Sequence, residues 1–201
     1  LMRKAGVLDY KIFAQCAAAA LSAYPISFEV CADDMAEMEQ QAREIATWGD
    51  NIYVKIPVTN TAGEPSYPLI QRLSYDGIKV NVTALMTLDQ VWESLLRLKG
   101  GAASYISVFA GRIADTGVDP VPMMADIVDR LIPRVPTARL IWASPRELLN
   151  VFQANDIGCH IITVTSDILA KLPGVGKDLD LLSLETVQMF HHDAIGAGYR
   201  V

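Results

Sequence analysis

The sequence has few cysteines and no apolar run long enough to cross a membrane. Cys16, Cys31 and Cys159 are an odd number, lie far apart and form no C-x-x-C pair, which is typical of reduced thiols in the cytoplasm. The alanine-rich run 17–21 is too short to span a bilayer, and no signal-peptide pattern is present. We therefore expect a cytoplasmic protein without disulfides.

The sequence also lacks the signatures of several functional classes. Its net charge of -6 disfavours a nucleic acid or an anionic membrane as a partner. It contains neither a glycine-rich dinucleotide fingerprint after its first strand nor a G-x-S-x-G nucleophile motif. His160, His191 and His192 have no Asp or Cys at ligand spacing around them. We expect no metal and no cofactor.

The residues that are present indicate one globular domain. The 201 residues are 51% hydrophobic and 20% charged, and no linker or low-complexity tract divides them. Runs of β-branched and aromatic residues predict strands that begin near residues 26, 51, 78, 104, 138 and 160, each followed by a helical stretch. Thr87 is predicted to cap a helix that ends near Leu98, and a loop that holds Arg112 is predicted to lead to a helix over about 120–133. This alternation is typical of βα units, which build a parallel sheet.

Polar residues recur near the carboxyl ends of these strands, where barrel enzymes carry their catalytic groups. This favours a (β/α) barrel over an open doubly wound sheet. A barrel of this kind needs eight strands, whereas the sequence predicts six. The shortfall lies at the N-terminus, where the chain begins with Leu1 and not with methionine.

Lys55 is an unusual residue for its position in the apolar strand 51–59. Burial of an ammonium group without a partner is costly or makes the group lose its proton. A lysine at a strand end can simply extend to water, whereas a desolvated neutral amine can attack a carbonyl. Because no other nucleophile stands out, the sequence predicts imine formation with a sugar-phosphate carbonyl.

Other polar side chains are placed to surround Lys55. Side chains two residues apart on a strand share a face, so Ser27, Glu29 and Cys31 point together. For each residue alone, a hydrogen-bonded structural role is sufficient, but the set favours a site. If these faces point inward, one cavity collects a polar group from each strand: Glu29, Lys55, Asn81, Thr83, Ser107 or Phe109, Ser144 and Thr163.

The segment Ser144–Glu147, Ser-Pro-Arg-Glu, has the form of a capping box with proline at the first helical position. It predicts a helix N-terminus, which caps the helix and, in such a barrel, can also bind phosphate. Arg112, just after its strand, would add a guanidinium in bidentate geometry. We interpret Arg146 as a solvated surface charge.

Three segments together resemble the transaldolase family, in the short branch that includes the fructose-6-phosphate aldolases. They are 54–59 (VKIPVT), 77–83 (GIKVNVT) and 105–113 (YISVFAGRI). The resemblance covers nearly the whole chain. It implies a TIM-type (β/α)8 barrel and cofactor-free class I aldol chemistry. Transaldolase moves a dihydroxyacetone unit from a ketose phosphate to an aldose phosphate in the pentose phosphate pathway.

The resemblance also implies residue roles. Lys55 would be the Schiff-base lysine, and Glu29 and Thr83 would hold the water used in proton transfer. Asn81 and Ser107 would contact hydroxyl groups of the sugar phosphate. Arg112 and Ser144 would bind its phosphate group.

The chain departs from the family pattern at its N-terminus. The family's first strand carries an acid/base aspartate and its second a Thr-Thr-Asn-Pro-Ser run, and Leu1–Gly6 resembles the segment immediately after that run. We therefore expect residues 1–201 to be a single domain comprising strands three to eight, with two unpaired sheet edges. Val108 also replaces a usual proline, and the loop after Ser144 is shorter than in many relatives.

The sequence leaves two alternatives open. A fructose-6-phosphate aldolase would use the same lysine but release free dihydroxyacetone. A truncated, inactive barrel would act only in assembly.

Residues 174–201 are predicted to form a loop and a helix over about 183–197, beyond the last barrel unit. In the family such helices pack over the active-site face or a neighbouring subunit, which implies a homo-oligomer. Met189, Phe190 and Tyr199 are candidate apolar anchors, and we expect them to pack within the chain.

Overall fold

A computed structural model describes residues 6–199, so most of the segment Leu1–Gly6 lies outside the described residues. Strands and helices alternate as predicted. The strands are β1 (Ile26–Glu29), β2 (Ile52–Pro57), β3 (Val80–Leu85), β4 (Ser104–Val108), β5 (Ala138–Trp142) and β6 (Ile161–Ile162). The α-helices are α1 (Tyr10–Ala20), α2 (Met35–Ala46), α3 (Tyr67–Tyr75), α4 (Leu88–Leu98), α5 (Ala110–Ala114), α6 (Val121–Asp126), α7 (Leu149–Asp156), α8 (Ser166–Leu169) and α9 (Leu179–Gly196).

The six strands form one parallel sheet in the order β1 to β6, so that each strand pairs with its neighbours in sequence. The sheet is curled into a half-barrel, consistent with part of a TIM-type barrel. The chain divides into two compact units, one ending at Val164 and the other beginning at Thr165. No helix among residues 6–199 has the length and apolar character needed to cross a membrane.

The two faces of the sheet differ in burial, as β2 illustrates. Its alternate residues Ile52, Val54 and Ile56 are buried, whereas Tyr53 and Lys55 are half-buried. The buried set belongs to the main hydrophobic core, which the helices complete from one side. Alternation of this kind follows from the period of two in a strand, and it leaves the other face free to line a cavity.

Side-chain caps define where several helices begin. The Asp34 carboxylate accepts hydrogen bonds from the first backbone N–H groups of α2, and the Thr87 hydroxyl does the same for α4. Gln90 completes the second capping arrangement by accepting the N–H of Thr87. Such caps satisfy N–H groups that have no partner within the helix. The cap at Thr87 and the end of α4 at Leu98 confirm that predicted helix.

Three elements differ from the sequence-based predictions. The helix predicted over 120–133 is α-helical only to Asp126 and continues as a π-helical turn and a 3-10 turn to Arg134; Pro133 has no N–H with which to continue an α-helix. The short helix α5 lies where a loop was expected. The last helix begins at Leu179, earlier than predicted, because the Asp178 side chain caps it.

β1 and β6 are the two edge strands of the sheet, as expected, but side chains of the neighbouring helices partly cover the β1 edge. The Glu29 N–H donates to the Tyr10 hydroxyl (2.9 Å), which itself donates to the Glu29 carbonyl (3.1 Å). The Cys31 N–H donates to Gln41 Oε1 (2.7 Å). Side chains of α1 and α2 therefore satisfy edge groups that a further strand would otherwise occupy.

The unit from Thr165 consists of α8, a 3-10 turn and the long helix α9. Apolar side chains of α9 are largely exposed, with Phe190 61% and Met189 52% accessible, and Tyr199 beyond the helix is 78% accessible. These three side chains are therefore not buried within their own unit.

Candidate active site

A cavity of about 480 Å³ lies against the face of the sheet that the helices leave free. Every strand or the residues flanking it contribute to its lining. The cavity brings together most of the polar residues predicted to share one: Lys55, Asn81, Ser107, Ser144 and Thr163, with Phe109 beside them.

Lys55 is half-buried in the middle of this arrangement. Its β-sheet register aligns it with Glu29 on one side and with Asn81 on the other. Lys55 Nζ forms no hydrogen bond and no ion pair with any of the described residues. The amine therefore faces a cavity with its hydrogen-bonding capacity unused, as a nucleophile awaiting a substrate would.

Asn81 is 2% exposed and is held at both ends of its side-chain amide. The Ser107 hydroxyl donates to Asn81 Oδ1 at 2.7 Å, and Asn81 Nδ2 donates to the Ser27 hydroxyl at 2.9 Å. This chain of hydrogen bonds runs from β4 through β3 to β1, past Lys55 on β2. Leaving a buried amide group without a hydrogen bond costs free energy, so these two bonds together fix the amide in one orientation.

Aromatic and aliphatic side chains form the apolar part of the cavity. Tyr53 and Tyr105 stack with ring centroids 4.0 Å apart, and Tyr105 packs with Ile141 and Ala143 in a small second core. Burial, and secondarily the neighbouring Tyr53 hydroxyl, raises the pKa of Tyr105 to about 12 from 10.0. The Tyr105 hydroxyl is therefore neutral throughout the physiological pH range.

Glu29 and Thr83 lie outside the lining of this cavity. Glu29 lines a smaller cavity of about 170 Å³ together with Tyr10, Cys31 and Trp48. Thr83 is 1% exposed, and its hydroxyl has no hydrogen-bond partner among the described residues. A register irregularity follows in β3, where Ala84 has a left-handed φ of 62°.

The two arginines predicted near the cavity have different surroundings. Arg112, in α5, is exposed and places its guanidinium 5.2 Å from the ring centroid of Phe109, which lines the cavity. Arg146 is not merely solvated, because its Nε lies 3.0 Å from both carboxylate oxygens of Asp115. This hydrogen bonding with Arg146 lowers the pKa of the Asp115 carboxyl.

The capping box predicted over Ser144–Glu147 is wrong. The helix that follows begins only at Leu149, and Ser144 takes a left-handed φ of 58°. Asn150 Oδ1 instead accepts the N–H groups of Arg146 (2.8 Å) and Glu147 (3.2 Å). Ser144 nevertheless lines the cavity, so its position near the site agrees with the prediction although its conformation does not.

Gly111 is the reason why Ser144 can lie where it does. A Cβ at Gly111 would stand 1.5 Å from the Ser144 carbonyl oxygen. The Gly111 N–H also donates to the Ala143 carbonyl (3.3 Å). The start of α5 therefore approaches the end of β5 at a distance that only glycine allows.

Sequence reasoning left Ser27 out of the predicted cavity. Ser27 lines it and receives the hydrogen bond from Asn81. The signal was available, because Ser27 lies two residues before Glu29 and therefore on the same face of the strand.

Comparison with known proteins identifies the relatives of this chain. The sequence profile of the Transaldolase/Fructose-6-phosphate aldolase family matches residues 8–198. The chain belongs to this family. The family assignment made from the three sequence segments is thereby confirmed.

Individual members of the transaldolase family align over most of the chain. A "Probable transaldolase" of Dehalococcoides mccartyi is 37% identical over 172 residues, which cover 86% of this chain and 76% of that protein. A "Probable transaldolase" of Streptococcus equi subsp. zooepidemicus is 39% identical over 148 residues, 74% of this chain. The chain spans 65% of the length of that relative.

Proposed function

We propose that this protein is a transaldolase that forms a Schiff base through Lys55. The substrate is a ketose phosphate, and the dihydroxyacetone unit passes to an aldose phosphate, as in the pentose phosphate pathway. The observation that carries the proposal is the amine of Lys55, without a partner among the described residues, in a cavity lined by residues of all six strands and their flanks. Membership of the transaldolase family supports the same reaction class.

In the proposed mechanism, the lone pair of Lys55 Nζ attacks the C2 carbonyl of the ketose, and loss of water leaves an iminium. Cleavage of the C3–C4 bond sends its electron pair into the iminium, which becomes an enamine, while the C4 hydroxyl loses its proton and the aldehyde departs. The enamine then attacks the carbonyl of the acceptor aldose, and water hydrolyses the new imine to release the product.

Proton transfer in this scheme is proposed for a water held between Glu29 and Thr83. Glu29 is in register with Lys55 on the adjacent strand, and paired strands lie about 4.8 Å apart. The Glu29 side chain lines the smaller cavity beside Tyr10, so it would turn toward Lys55 to hold this water. The Thr83 hydroxyl lies one strand beyond Lys55 and is buried without a partner among the described residues, which leaves it available to a bound water. A carboxylate near the reacting hydroxyl can act as general base.

Substrate binding is proposed for four side chains. Asn81 and Ser107 would contact the sugar hydroxyls, since both line the cavity and their amide and hydroxyl are already mutually oriented. Arg112 and Ser144 would hold the phosphate. Arg112 has no carboxylate partner among the described residues, unlike Arg146, which is bound to Asp115. Fixing both ends of the substrate orients its carbonyl toward the amine.

We also propose the wider context of this enzyme. The six strands would correspond to strands three to eight of a (β/α)8 barrel within one domain. The sequential parallel order of the sheet supports this correspondence. The enzyme would be cytoplasmic and homo-oligomeric, and the exposed apolar side chains of α9 support self-association.

The experiment that tests the function traps the imine. Incubation with fructose 6-phosphate and borohydride should convert the iminium to a stable secondary amine, which intact-mass spectrometry detects. The Lys55→Ala variant should gain no adduct under the same conditions. An equal adduct on the variant would contradict the role of Lys55.

A second assay separates transaldolase from fructose-6-phosphate aldolase, since the family comprises both. A transaldolase releases glyceraldehyde 3-phosphate from fructose 6-phosphate with sustained turnover only when erythrose 4-phosphate is present as acceptor. Sustained release of free dihydroxyacetone without the acceptor would instead identify an aldolase.

A further inference from the structure

Ser27 occupies the end of the hydrogen-bond chain that crosses the cavity. Ser107 donates to Asn81 Oδ1, and Asn81 Nδ2 donates to Ser27 Oγ at 2.9 Å. Both serines line the cavity together with Lys55. The chain therefore begins on β4 and ends on β1, and the amide between the two hydroxyls is the only amide side chain among the described residues that line this cavity.

The direction of these hydrogen bonds determines whether Ser27 acts as a donor or an acceptor toward Asn81. An amide NH2 group can only donate, and an amide oxygen can only accept. With Oδ1 occupied by Ser107, the orientation of the amide depends on an acceptor for Nδ2, and the Ser27 hydroxyl is that acceptor. One Nδ2 hydrogen is thereby fixed on Ser27, which directs the other to a defined position.

We propose that Ser27 is a positioning residue that orients the Asn81 amide toward the hydroxyl next to the carbonyl of a bound ketose phosphate. This inference rests on the proposed function. Because Asn81 is in register with Lys55, an amide fixed by Ser27 aligns the substrate hydroxyl, and with it the carbonyl carbon, against the amine. Misalignment of a bound substrate lowers turnover more than it lowers affinity.

The test compares Ser27→Ala with Ser27→Thr, measuring kcat and KM for the transaldolase reaction. Ser27→Ala removes one neutral hydrogen bond, so we expect kcat to fall about tenfold with a smaller change in KM. Ser27→Thr keeps the hydroxyl, and threonine suits a strand; it should restore kcat to within about threefold of the wild type. Ser27 lines the cavity, so the added methyl group can extend into it.

Ser104→Ala is the matched control. Ser104 is also a strand serine and is buried, but its hydroxyl has no partner among the described residues. The same loss of an oxygen there should leave kcat unchanged. NMR of the Asn81 side-chain amide gives a second readout, in which Ser27→Ala alone should shift the NH2 signals and accelerate their exchange with water.

The outcomes separate this inference from the proposed function. If borohydride labels Lys55 in the wild type but Ser27→Ala has the wild-type kcat and the same Asn81 signals, the role of Ser27 is wrong and the function stands. A loss as large in Ser27→Thr as in Ser27→Ala would also overturn it, because the hydroxyl would then be irrelevant. If the wild type forms no adduct on Lys55, the proposed function fails and this inference fails with it.

Discussion

The two faces of the parallel sheet differ in the polarity and burial of their side chains. On the helix-covered face, the side chains are almost all aliphatic and fully buried, as Ile56, Val82 and Ile106 are. The opposite face presents Lys55, Asn81 and Ser107 to a cavity, and its apolar core consists of Tyr105, Ile141 and Ala143 with a few partly buried neighbours. The same six strands supply both faces through the alternation of their residues.

The covered face contributes mainly to folding stability, and the open face carries the groups proposed for catalysis. Removal of apolar surface from water gives the covered face its role in folding. The open face keeps polar groups oriented by hydrogen bonds and leaves an amine without a partner among the described residues. Residues adjacent in sequence can therefore serve opposite purposes, and substitutions at such pairs test the distinction.

The largest effect on stability is expected from Ile56→Ala. Ile56 is fully buried on the covered face, so the cavity left behind should lower the free energy of unfolding by about 2–5 kcal/mol. Lys55→Met changes the neighbouring residue, whose side chain points to the open face, and should change the same quantity by less than about 1 kcal/mol. Urea unfolding of both variants makes the comparison; similar losses would contradict the division of roles.

Gly111→Ala tests whether the contact between Gly111 and Ser144, at the edge of the open face, is packed as tightly as the covered core. The new methyl group would overlap the Ser144 carbonyl oxygen, so we expect a loss of about 3 kcal/mol in urea unfolding. Gly174→Ala is the control, because its Cβ would meet nothing within 4 Å; it should stay within about 1 kcal/mol of the wild type. Equal free energies of unfolding for the two variants would show that the backbone around Gly111 and Ser144 moves apart without cost, and would contradict the expected tight packing.

The smallest effect is a pH dependence that originates on the open face. The pKa of Tyr105 is raised to about 12 from 10.0, so the folded chain keeps this phenol neutral where the unfolded chain ionises it. Its contribution to stability is complete below pH 10 and is lost as the pH rises toward 12.

The variant Tyr105→Phe has no ionisable group at this position. Its free energy of unfolding should therefore decline less between pH 10 and 12 than that of the wild type, as followed by urea unfolding at each pH. Parallel declines in the two proteins would contradict the raised pKa of Tyr105.

Much of the fold was predictable from sequence, because the regular periods of strands and helices leave a repeating pattern of buried positions. The order of the strands, the cap at Thr87 and the inward direction of Lys55 all follow from local patterns. The family was predictable from three strand segments.

Features that depend on contacts between distant residues were not predictable. Ser144 has the residues of a capping box, but the close approach of Gly111 accompanies a left-handed conformation there, and Asn150 binds the N–H groups instead. Glu29 shares a face with Ser27, yet it lines a different cavity because β1 is an edge strand covered by Tyr10. Alternation assigns a face, whereas neighbouring elements decide which cavity a side chain reaches.

The central claim is that Lys55, on the open face, is the imine-forming nucleophile. Borohydride trapping with fructose 6-phosphate followed by peptide mapping tests it most directly, with Lys79 as an internal control, since its Nζ donates to the Asp50 carbonyl at 2.6 Å. We expect a reduced dihydroxyacetone adduct on Lys55 and none on Lys79. Equal labelling of the two lysines, or an adduct that forms without Lys55, would contradict the claim.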